Sequence, residues 1–500
     1  MAHTVRNPAA AGAGGGSTIL IAAGWRRFQP GLSCHKSLVY LERFDYFSRR
    51  TGMENKVKYV LSLFKKIYGL HDSECQINYG IDHASKVQIK RGRIDFFGQK
   101  AGLDLSRIIW KEWQGVKLPF LLDNEDAEVV TIEDGRAVIN FDLIASSFYF
   151  LSGWQEYTCE KKDRYGRFPY AESLQSKLNL VELPLVNYYF DILKTTIERV
   201  YKRRLTVQLW QDFDFAVCLT HDIDKCQSGW REGGGSELRR GRLASALRLL
   251  LRKARGRDVW FNFDEILAIE KQYGARSSFY FLCRDSRNDG PPNADYDIGD
   301  ERFSHVYRDI LAQGSEIGVH GSFGTHDNLQ NFKADLRRLN HQAVGNRFHF
   351  LEFDINETPR VLQKAGVKYD TTLGFPEHYG FRNGFCFPFY LYDLQHDRAL
   401  PVVEIPLILM DTTLQSDAYM EMHPQQAMAN VEGVLSEVKR FGGCLTLLWH
   451  NTHFSDYKFQ GWREVFVDLL EYCRNENGFF ANGKQIFEIF SGAGSGTGET

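Results

Sequence analysis

The sequence predicts an α/β protein in which a parallel sheet carries polar groups at the ends of its strands. From residue 260 onward, strand-like and helix-like patterns alternate along the chain. Repeated βα units of this kind imply a parallel sheet, open or closed into a barrel, with its site at the carboxyl ends of the strands. Upstream, the apolar run Ala216 to Leu219 leads through Thr220 to two carboxylates, which predicts a buried strand with acidic groups at its end.

The alternation can be followed element by element to the end of the chain. Predicted strands cover 277–282, 316–319, 348–350, 403–410 and 444–449, and predicted helices cover 261–273, 302–313, 327–341, 358–365, 424–441 and 462–474. Gly314 follows the second of these helices directly, where a glycine is expected to end it.

Length and composition indicate a multidomain protein of ordinary globular character. A chain of 500 residues is too long for one core, and its hydrophobic and charged contents are 43% and 25%. A net charge of −2 gives no general reason to expect a nucleic acid as a partner. The nine cysteines are scattered without a Cys-x-x-Cys pair, and no apolar run is long enough to span a bilayer. We therefore expect a cytoplasmic protein; its oligomeric state is not indicated.

Changes in composition divide the chain into four segments. Residues 1–52 are Gly/Ala-rich and then arginine-rich without sustained periodicity, which predicts a disordered leader or upstream extension with Met53 as the working start. Residues 53–205 mix strand and helix patterns and predict a smaller α+β domain of unknown function. Residues 206–490 contain the alternating units, and residues 491–500 form a Gly/Ser-rich tail that is expected to be flexible.

The smaller domain offers little recognisable chemistry. Its predicted strands cover 86–89, 127–132 and 137–141, and its predicted helices begin near residue 56 and at residues 143 and 184. The polar loop Asp163 to Pro169 could bind an anionic ligand through its charges, although a solvated loop is the alternative.

A glycine run and a basic helix follow the first strand of the larger domain. Residues 233–235 are three consecutive glycines and predict a flexible hinge or lid. Residues 238–257 place eight basic residues around leucines at helical spacing. Such a helix can lie on an anionic membrane surface, for example the inner membrane, or it can be a solvated helix that covers the sheet. The sequence leaves both alternatives open.

Asp222 and Asp224 are the first candidate site residues. In a strand, residues two apart leave the same face, so both carboxylates could share one cavity. Carboxylates this close repel each other unless a cation or a proton lies between them, which favours a metal site or general-base chemistry. The structural alternative is an aspartate that caps the next helix beside a second one in solvent.

Histidines occur near the ends of the other predicted strands. His320 follows an apolar strand, His349 lies two residues after Arg347, and His450 follows Trp449. A lone histidine on an apolar strand is usually a core residue, but parallel strands would bring these side chains to one edge of the sheet. Two imidazoles and one carboxylate are a standard zinc set that leaves a fourth position open.

These residues carry a resemblance to a known family. The segment Thr220 to Asp224, His320, Arg347 and the segment Leu448 to His450 resemble, in order and spacing, the polysaccharide deacetylases of carbohydrate esterase family 4, which have a nodulation-type deacetylase homology domain. The resemblance covers residues 213 to 488 and extends to a subgroup with an N-terminal domain of unassigned function. It implies a distorted (β/α) barrel that removes acetyl groups from N-acetylated sugars of a polysaccharide or lipid-linked glycan.

The resemblance also implies a role for each matching residue. Asp222 is expected to be the general base and His450 the general acid. Asp224 and His320 are expected to hold a divalent metal ion, with zinc favoured, and Arg347 to orient Asp222 and keep it ionised.

The third metal ligand is open. The family places a second histidine four residues after the first, whereas this chain has Gly324 there and His326 two residues later. We expect His326 to be the ligand if the glycine-flanked loop brings it back, and His349 is its rival. If neither binds, the alternatives are a domain that holds metal weakly and a non-catalytic carbohydrate binder on the same barrel.

Substrate contacts and the acyl group are less defined by the sequence. The aromatic loop 380–389 includes Phe381 and Arg382, which together with Trp449 are expected to contact the sugar. A buried aromatic plug is the alternative for this loop. A metal-dependent hydrolase of another amide or ester is a further alternative, because catalytic machinery does not name the acyl group.

Overall fold

A small mixed α/β region precedes the main sheet of the protein. The computed structural model describes residues 53–71, 73–80, 85–92, 96–98, 100, 102–123, 126–285 and 292–493, which belong to one compact unit. The predicted leader, residues 1–52, and residues 494–500 of the predicted tail lie outside the described residues.

The N-terminal region, residues 53–205, combines short strands with helices. Its strands are β1 (Ile77–Tyr79), β2 (Val87–Ile89), β3 (Ile109–Trp113), β4 (Val116–Phe120), β5 (Val130–Glu133) and β6 (Arg136–Ile139), and its helices are α1 (53–68), α2 (Leu143–Leu151), α3 (Trp154–Tyr157), α4 (Leu174–Lys177) and α5 (Leu185–Tyr201). Strands β1, β2, β6 and β5 form one sheet, and β3 and β4 form a hairpin that the sequence did not predict. The helix predicted from residue 143 to 157 is divided at Gly153, whose φ of 67° interrupts it.

The remaining elements alternate between strand and helix only in part, because three helices follow one another between residues 229 and 273 and four strands do so between residues 369 and 410. The strands are β7 (Phe215–Ile223), β8 (Ser278–Leu282), β9 (Glu316–Gly321), β10 (Gly345–Phe348), β11 (Tyr369–Asp370), β12 (Phe389–Asp393), β13 (Arg398–Glu404), β14 (Leu409–Met410), β15 (Cys444–Leu448) and β16 (Gly478–Ala481). The helices are α6 (Gly229–Arg239), α7 (Leu243–Ala254), α8 (Phe263–Tyr273), α9 (Glu301–Ala312), α10 (Leu329–Arg338), α11 (Thr358–Ala365), α12 (Asp411–Gln415), α13 (Pro424–Phe441), α14 (Trp462–Asn475) and α15 (Gly483–Ser491).

These strands form one curled sheet, hereafter the main sheet. Its order is β12-β13-β11-β10-β9-β8-β7-β15-β14, with β16 beside the start of β7, and all pairs except β12 with β13 are parallel. Residues 405–408 link β13 to β14 and join the two ends of the sheet. The amide of Ile405 donates to the carbonyl of Asp370, and the amide of Ile408 donates to the carbonyl of Thr446 on β15. The carboxyl ends of the parallel strands therefore face one another across the curl.

Local sequence signals set the ends of the helices. Asp300 and Asn328 cap the first turns of α9 and α10 by accepting hydrogen bonds from backbone amides. Gly274 and Gly442, both with positive φ, end α8 and α13. Strand β7 is buried along its whole length, as its continuous apolar run predicts for a central parallel strand.

The N-terminal region and the main sheet share a core. The guanidinium of Arg382 pairs with the carboxylate of Glu156 at 2.7 Å, and both side chains are at most 3% exposed. The side-chain carbonyl of Asn187 accepts a hydrogen bond from the amide of Cys386. A buried hydrophobic cluster continues from α1 and α5 into the strands of the main sheet. Buried charge pairing and apolar packing therefore join the two parts.

Further sequence predictions differ from the structure, among them the single basic helix predicted over 238–257, which is divided between α6 and α7. The predicted strand 348–350 is wrong in its bounds, because β10 ends at Phe348 and a turn follows. The predicted strand 403–410 is divided between β13 and β14. The glycines 233–235, predicted as a hinge or lid, lie inside α6 instead. Among the described residues, no helix combines the length and apolar character needed to cross a bilayer.

Candidate metal centre and active site

The carboxyl ends of β7, β9, β10 and β15 bring the predicted site residues together. Asp222 lies near the end of β7, Arg347 on β10 stands opposite His320 on β9, and His450 follows β15 after one residue. Parallel strands end at one edge of a sheet, so residues far apart in the sequence become neighbours here. The same edge carries His349, Asp224 and Asp411.

Asp224, His320 and His349 form a cluster that can hold a metal ion. Nε2 of His320 lies 3.3 Å from Oδ1 of Asp224 and 3.2 Å from Nδ1 of His349. The three candidate ligand atoms lie within 4.8 Å of one another. Oδ1 of Asp224 is buried without a hydrogen-bond partner. One carboxylate and two imidazoles with an unsatisfied oxygen fit a divalent cation, zinc in particular.

A backbone contact orients the imidazole of His320. Its Nδ1 lies 2.7 Å from the carbonyl oxygen of Arg347, which can only accept a hydrogen bond. Nδ1 therefore carries a proton, and Nε2 is the nitrogen that can offer a lone pair to a cation. Burial would lower the pKa of His320, but the carboxylates of Asp222 and Asp224 outweigh it and raise the pKa. A cation would displace a proton there.

His349 faces the cluster because β10 ends one residue before it. Phe350 and Leu351, the next two residues, have φ values of 57° and 56°, an uncommon conformation for bulky side chains. Such strained backbone often accompanies a functional site. Burial lowers the pKa of His349 to about 4, so its imidazole is neutral at pH 7. A neutral imidazole is the form that binds metals.

His326, the other expected third ligand, does not join this cluster. Its Nδ1 lies 3.5 Å from the carboxylate of Glu352. That carboxylate also accepts a hydrogen bond from the amide of Gly324, which has a φ of 72°. The turn at Gly324 therefore directs His326 toward Glu352, and His349 is the histidine that lies beside Asp224 and His320.

Asp222 is held by a buried guanidinium. Nη1 of Arg347 lies 3.0 Å from Oδ1 of Asp222 and also donates to the hydroxyl of Thr220. Nε of Arg347 donates to the carbonyl of Thr371, which fixes the plane of the guanidinium. The other carboxylate oxygen of Asp222, Oδ2, lies 3.6 Å from Nε2 of His320. Asp222 thus presents one oxygen to the cluster of Asp224, His320 and His349, while its other oxygen is paired with Arg347.

His450 lies on the opposite side of Asp224. Its Nδ1 is 2.7 Å from Oδ1 of Asp411, and its Nε2 is 3.7 Å from Oδ2 of Asp224. Burial would lower the pKa of His450, but the carboxylates, Asp411 foremost, outweigh it and raise the pKa to about 10. His450 is therefore protonated at neutral pH and directs an N–H toward the cleft.

Asp411 and His453 were not found by sequence reasoning. Asp411 follows the last residue of a predicted strand directly, a signal similar to the one that selected Asp222 and Asp224 at the end of β7. Its Oδ2 lies 3.0 Å from Nδ1 of His453, whose ring stacks on Phe459 at a centroid distance of 3.9 Å. Burial lowers the pKa of His453 to about 4. Asp411 thus contacts one charged and one neutral imidazole.

The site opens into a cleft of about 740 Å³ beside these strand ends. Its aromatic lining residues are Trp260, Phe350, Tyr419, Phe459 and Trp462, and its polar ones include Asp222, Asp224, His320, His349, His450 and Arg167. Arg167 comes from the N-terminal region, where it pairs with Asp163 and donates to the carbonyl of Phe350. The ring of Tyr165 stacks on Phe350 at 4.6 Å. The loop predicted as an anion binder or solvated segment therefore forms one wall of the cleft.

The expected substrate contacts Phe381, Arg382 and Trp449 do not line this cleft. All three are buried. Arg382 pairs with Glu156 in the core shared with the N-terminal region, as described above, and Phe381 is in the core cluster. Trp449 packs against Phe466 below the strand ends. Phe381 therefore fits the alternative interpretation of the loop 380–389, a buried aromatic plug, and does not fit a sugar contact.

Comparisons with known proteins give a family of unknown function and several solved folds. The sequence model of a family described as being of unknown function (DUF7033) matches residues 40–202. No protein with a curated description matches the chain. Among similar solved structures is a protein from Mycobacterium smegmatis assigned as a polysaccharide deacetylase, with 20% sequence identity, a TM-score of 0.38, and a match that covers 57% of this chain and 93% of the other. Puue allantoinase has 13% identity and a TM-score of 0.38, and its match covers 58% of this chain and 94% of the other. A protein from Pseudomonas aeruginosa PAO1 assigned as a polysaccharide deacetylase has 14% identity and a TM-score of 0.38, and its match covers 57% of this chain and 93% of the other. Likenesses of this size carry no functional conclusion.

Proposed function

We propose that this protein is a metal-dependent hydrolase that removes acetyl groups from N-acetylated sugars of a polysaccharide or lipid-linked glycan. The observation that carries the proposal is the position of Asp224. Its Oδ1 faces His320 and His349, while its Oδ2 faces His450, which places a metal cluster and a protonated imidazole around one point of the cleft. Asp222 completes the set from the side of His320.

Asp224, His320 and His349 would hold the divalent ion, which leaves room for water and substrate beside three protein ligands. When bound, such an ion supplies Lewis-acid polarisation of a carbonyl and makes water a better nucleophile at neutral pH. The chain itself contributes the orientation of the ligands, since the Arg347 carbonyl fixes the ring of His320.

Asp222 is the general base in this proposal. Its Oδ1 is paired with the guanidinium of Arg347, so Oδ2 is the oxygen that can accept a proton from the attacking water. Arg347 is a positioning residue, because its contacts to Asp222, Thr220 and the Thr371 carbonyl hold the carboxylate in one orientation. The water oxygen forms the new bond to the acetyl carbon while its proton passes to Asp222.

His450 is the general acid. Its Nδ1–H donates to Asp411, so Nε2–H is free to protonate the sugar nitrogen as the amide C–N bond breaks. The products are acetate and a sugar with a free amine. The starting protonation states return when His450 takes up a proton from solvent and Asp222 releases one to solvent.

The aromatic side chains of the cleft support a sugar substrate. Apolar faces of sugar rings pack well on flat aromatic groups, and Phe350 and Tyr419, which are only partly buried, offer such surfaces in the lining of the cleft. The resemblance to carbohydrate esterase family 4 in the sequence motifs points to the same substrate class. Neither feature selects a particular glycan.

Acetate release from a panel of N-acetylated glycans tests the proposal. The panel should run from chitooligosaccharides to peptidoglycan fragments and include simple amides and esters, with zinc-reconstituted protein throughout. Acetate from glycans alone supports the proposal, whereas turnover of only the simple amides or esters would identify another metal-dependent hydrolase. Glycan binding without any turnover would leave a carbohydrate-binding domain. Asp264→Asn, which alters an exposed aspartate on α8, is the matched control for Asp222→Asn.

A further inference from the structure

The helical hairpin α6–α7 carries an exposed apolar face that the proposed chemistry does not use. The exposed fractions of Leu243, Leu247, Leu250 and Leu251 are 70%, 57%, 51% and 50%, and we call these four residues the leucine face. They are spaced i, i+4, i+7 and i+8, so they lie on one side of α7. Amphipathic helices of globular proteins normally direct such a stripe toward the core, and here it points outward.

One other leucine of α7 shows which side of the helix is attached to the protein. Leu249 is buried and packs against α6 at Gly233, where the Cβ of any other residue would approach its Cδ1 to 3.3 Å. Gly233 thus allows the two helices to pack closely through Leu249. This attachment leaves the leucine face on the far side of the hairpin.

The hairpin is also strongly basic from residue 238 onward. Between residues 238 and 257 the basic residues are Arg239, Arg240, Arg242, Arg248, Arg252, Lys253, Arg255 and Arg257, and this segment contains no acidic residue. Glu237 on α6 pairs with Arg240 and Arg242. In the described part of the chain no carboxylate lies within ion-pair distance of Arg248, Arg255 or Arg257. These three arginines therefore add positive charge beside the leucine face without an ion-pair partner among the described residues.

We infer that α6–α7 docks on an anionic lipid bilayer, with the leucine face in the interfacial region and the arginines at the lipid headgroups. Charge complementarity selects this occupant, because exposed leucines between basic side chains are the pattern of helices that lie in the plane of a membrane interface. Arginine side chains can extend toward the headgroups while their stems cover apolar surface. A neutral apolar partner would leave the positive charge unpaired.

The hairpin lies beside the cleft. Glu232 of α6 lines the cleft and forms ion pairs with Lys225 and Lys458, and Arg240 also reaches its wall. A bilayer that contacts the leucine face would therefore lie against the same hairpin that contributes Glu232 and Arg240 to the cleft. The inference does not depend on the proposed hydrolysis, since lipid binding can be measured without substrate.

Co-sedimentation of the full chain with lipid vesicles tests this inference. We expect wild-type protein to bind vesicles of phosphatidylglycerol and phosphatidylcholine, to bind vesicles of phosphatidylcholine alone weakly, and to lose the difference at high salt. Leu247→Gln with Leu250→Gln, and separately Arg248→Gln with Arg252→Gln, should each weaken binding about tenfold or more. Glutamine keeps good helix propensity, and circular dichroism checks that α7 is retained.

The control changes matching residues on another helix. Leu311 and Arg308 are exposed on α9, so Leu311→Gln with Arg308→Gln should leave vesicle binding unchanged. Absence of binding by the wild type, or equal binding by wild type and leucine variant, would overturn the inference. Sedimentation velocity without lipid tests the alternative that a second copy of the chain covers the leucine face. If the wild type does not bind vesicles but forms a dimer that the leucine variant abolishes, the face is assigned to that second copy and the membrane inference is overturned.

Discussion

Nδ1 of His349 lies 3.2 Å from Nε2 of His320, although His320 lies on β9 and His349 follows the end of β10. The proton on Nδ1 of His320 is donated to the Arg347 carbonyl. The gap between Nε2 of His320 and Nδ1 of His349 therefore has room for a single proton, shared in one hydrogen bond between the two rings. Under the proposed function, a cation held by both nitrogens and by Asp224 would replace that proton. The geometry of the cluster is therefore set before any ion arrives.

Metal affinity should fall as the pH is lowered. The carboxylates of Asp222 and Asp224 raise the pKa of His320, so protons compete with the cation for Nε2 below that raised value. Competition with a chromophoric chelator at a series of pH values measures this dependence. An affinity that is the same at pH 5 and pH 8 would mean that His320 is not a ligand.

Asp222→Asn should abolish turnover while keeping the metal. The amide retains a contact to Arg347 but cannot accept a proton from water, so kcat should fall roughly 10²–10⁴-fold. Metal content, measured by mass spectrometry on the same sample, should remain that of the wild type. The exposed control Asp264→Asn should keep both turnover and metal, and normal turnover of Asp222→Asn would remove Asp222 from the mechanism.

Asp411→Asn should lower the pKa of His450 and change the pH dependence of stability. In the metal-free protein the folded-state pKa of His450 is raised to about 10, chiefly by Asp411 against the effect of burial. The folded state then binds more protons than the unfolded chain between pH 6.5 and 10, so stability is full below that window and is lost as the pH rises through it. The variant should show a flatter curve of unfolding free energy over the same range, measured by urea denaturation.

The ring of His450 provides a direct check of the same pair. NMR titration of the His450 ring in metal-free wild type should place its midpoint well above that of an ordinary histidine, and the midpoint should return toward the ordinary value in Asp411→Asn. Identical midpoints in the two proteins would contradict the assigned contact. His453, which Asp411 also touches, should remain neutral in both, since burial lowers its pKa to about 4.

Glu156→Gln should destabilise the whole protein. The change leaves the buried guanidinium of Arg382 without its charged partner, which costs about 3–5 kcal/mol in unfolding free energy. Glu128→Gln, an exposed change in the same region, should stay within about 0.5 kcal/mol of wild type. Replacing both partners by apolar residues, Glu156→Leu with Arg382→Met, should recover much of the loss. A small effect of Glu156→Gln would mean that the N-terminal region contributes little to this core.

Strands β7 and β15 of the main sheet were predictable because they are continuous apolar runs. The run before Asp222 and the one before His450 each became a buried strand with its polar residue at the carboxyl end. Asp411 was missed although it follows a predicted strand, because a single aspartate there is also an ordinary helix start. Its role depends on the pairing of β14 with β15, which no local pattern reveals.

The third ligand and the N-terminal wall of the cleft depend on tertiary structure. Spacing favoured His326, but the positive φ of Gly324 directs that side chain to Glu352, and the end of β10 at Phe348 turns His349 inward instead. Arg382 looked like a sugar contact because it stands in an aromatic loop. Its buried partner, Glu156, is more than two hundred residues away in the sequence, and no periodic pattern links the two.

Metal stoichiometry tests the central claim most directly. Mass spectrometry would be applied to wild type, His320→Ala, His349→Ala and His326→Ala, each purified without chelator and reconstituted with zinc. We predict near one ion per chain in the wild type and in His326→Ala, and a loss of affinity in His320→Ala and His349→Ala that exceeds the roughly 10–100-fold effect typical of an outer contact. Retention of the ion in His349→Ala together with its loss in His326→Ala, or no ion in the wild type, would contradict the proposed site.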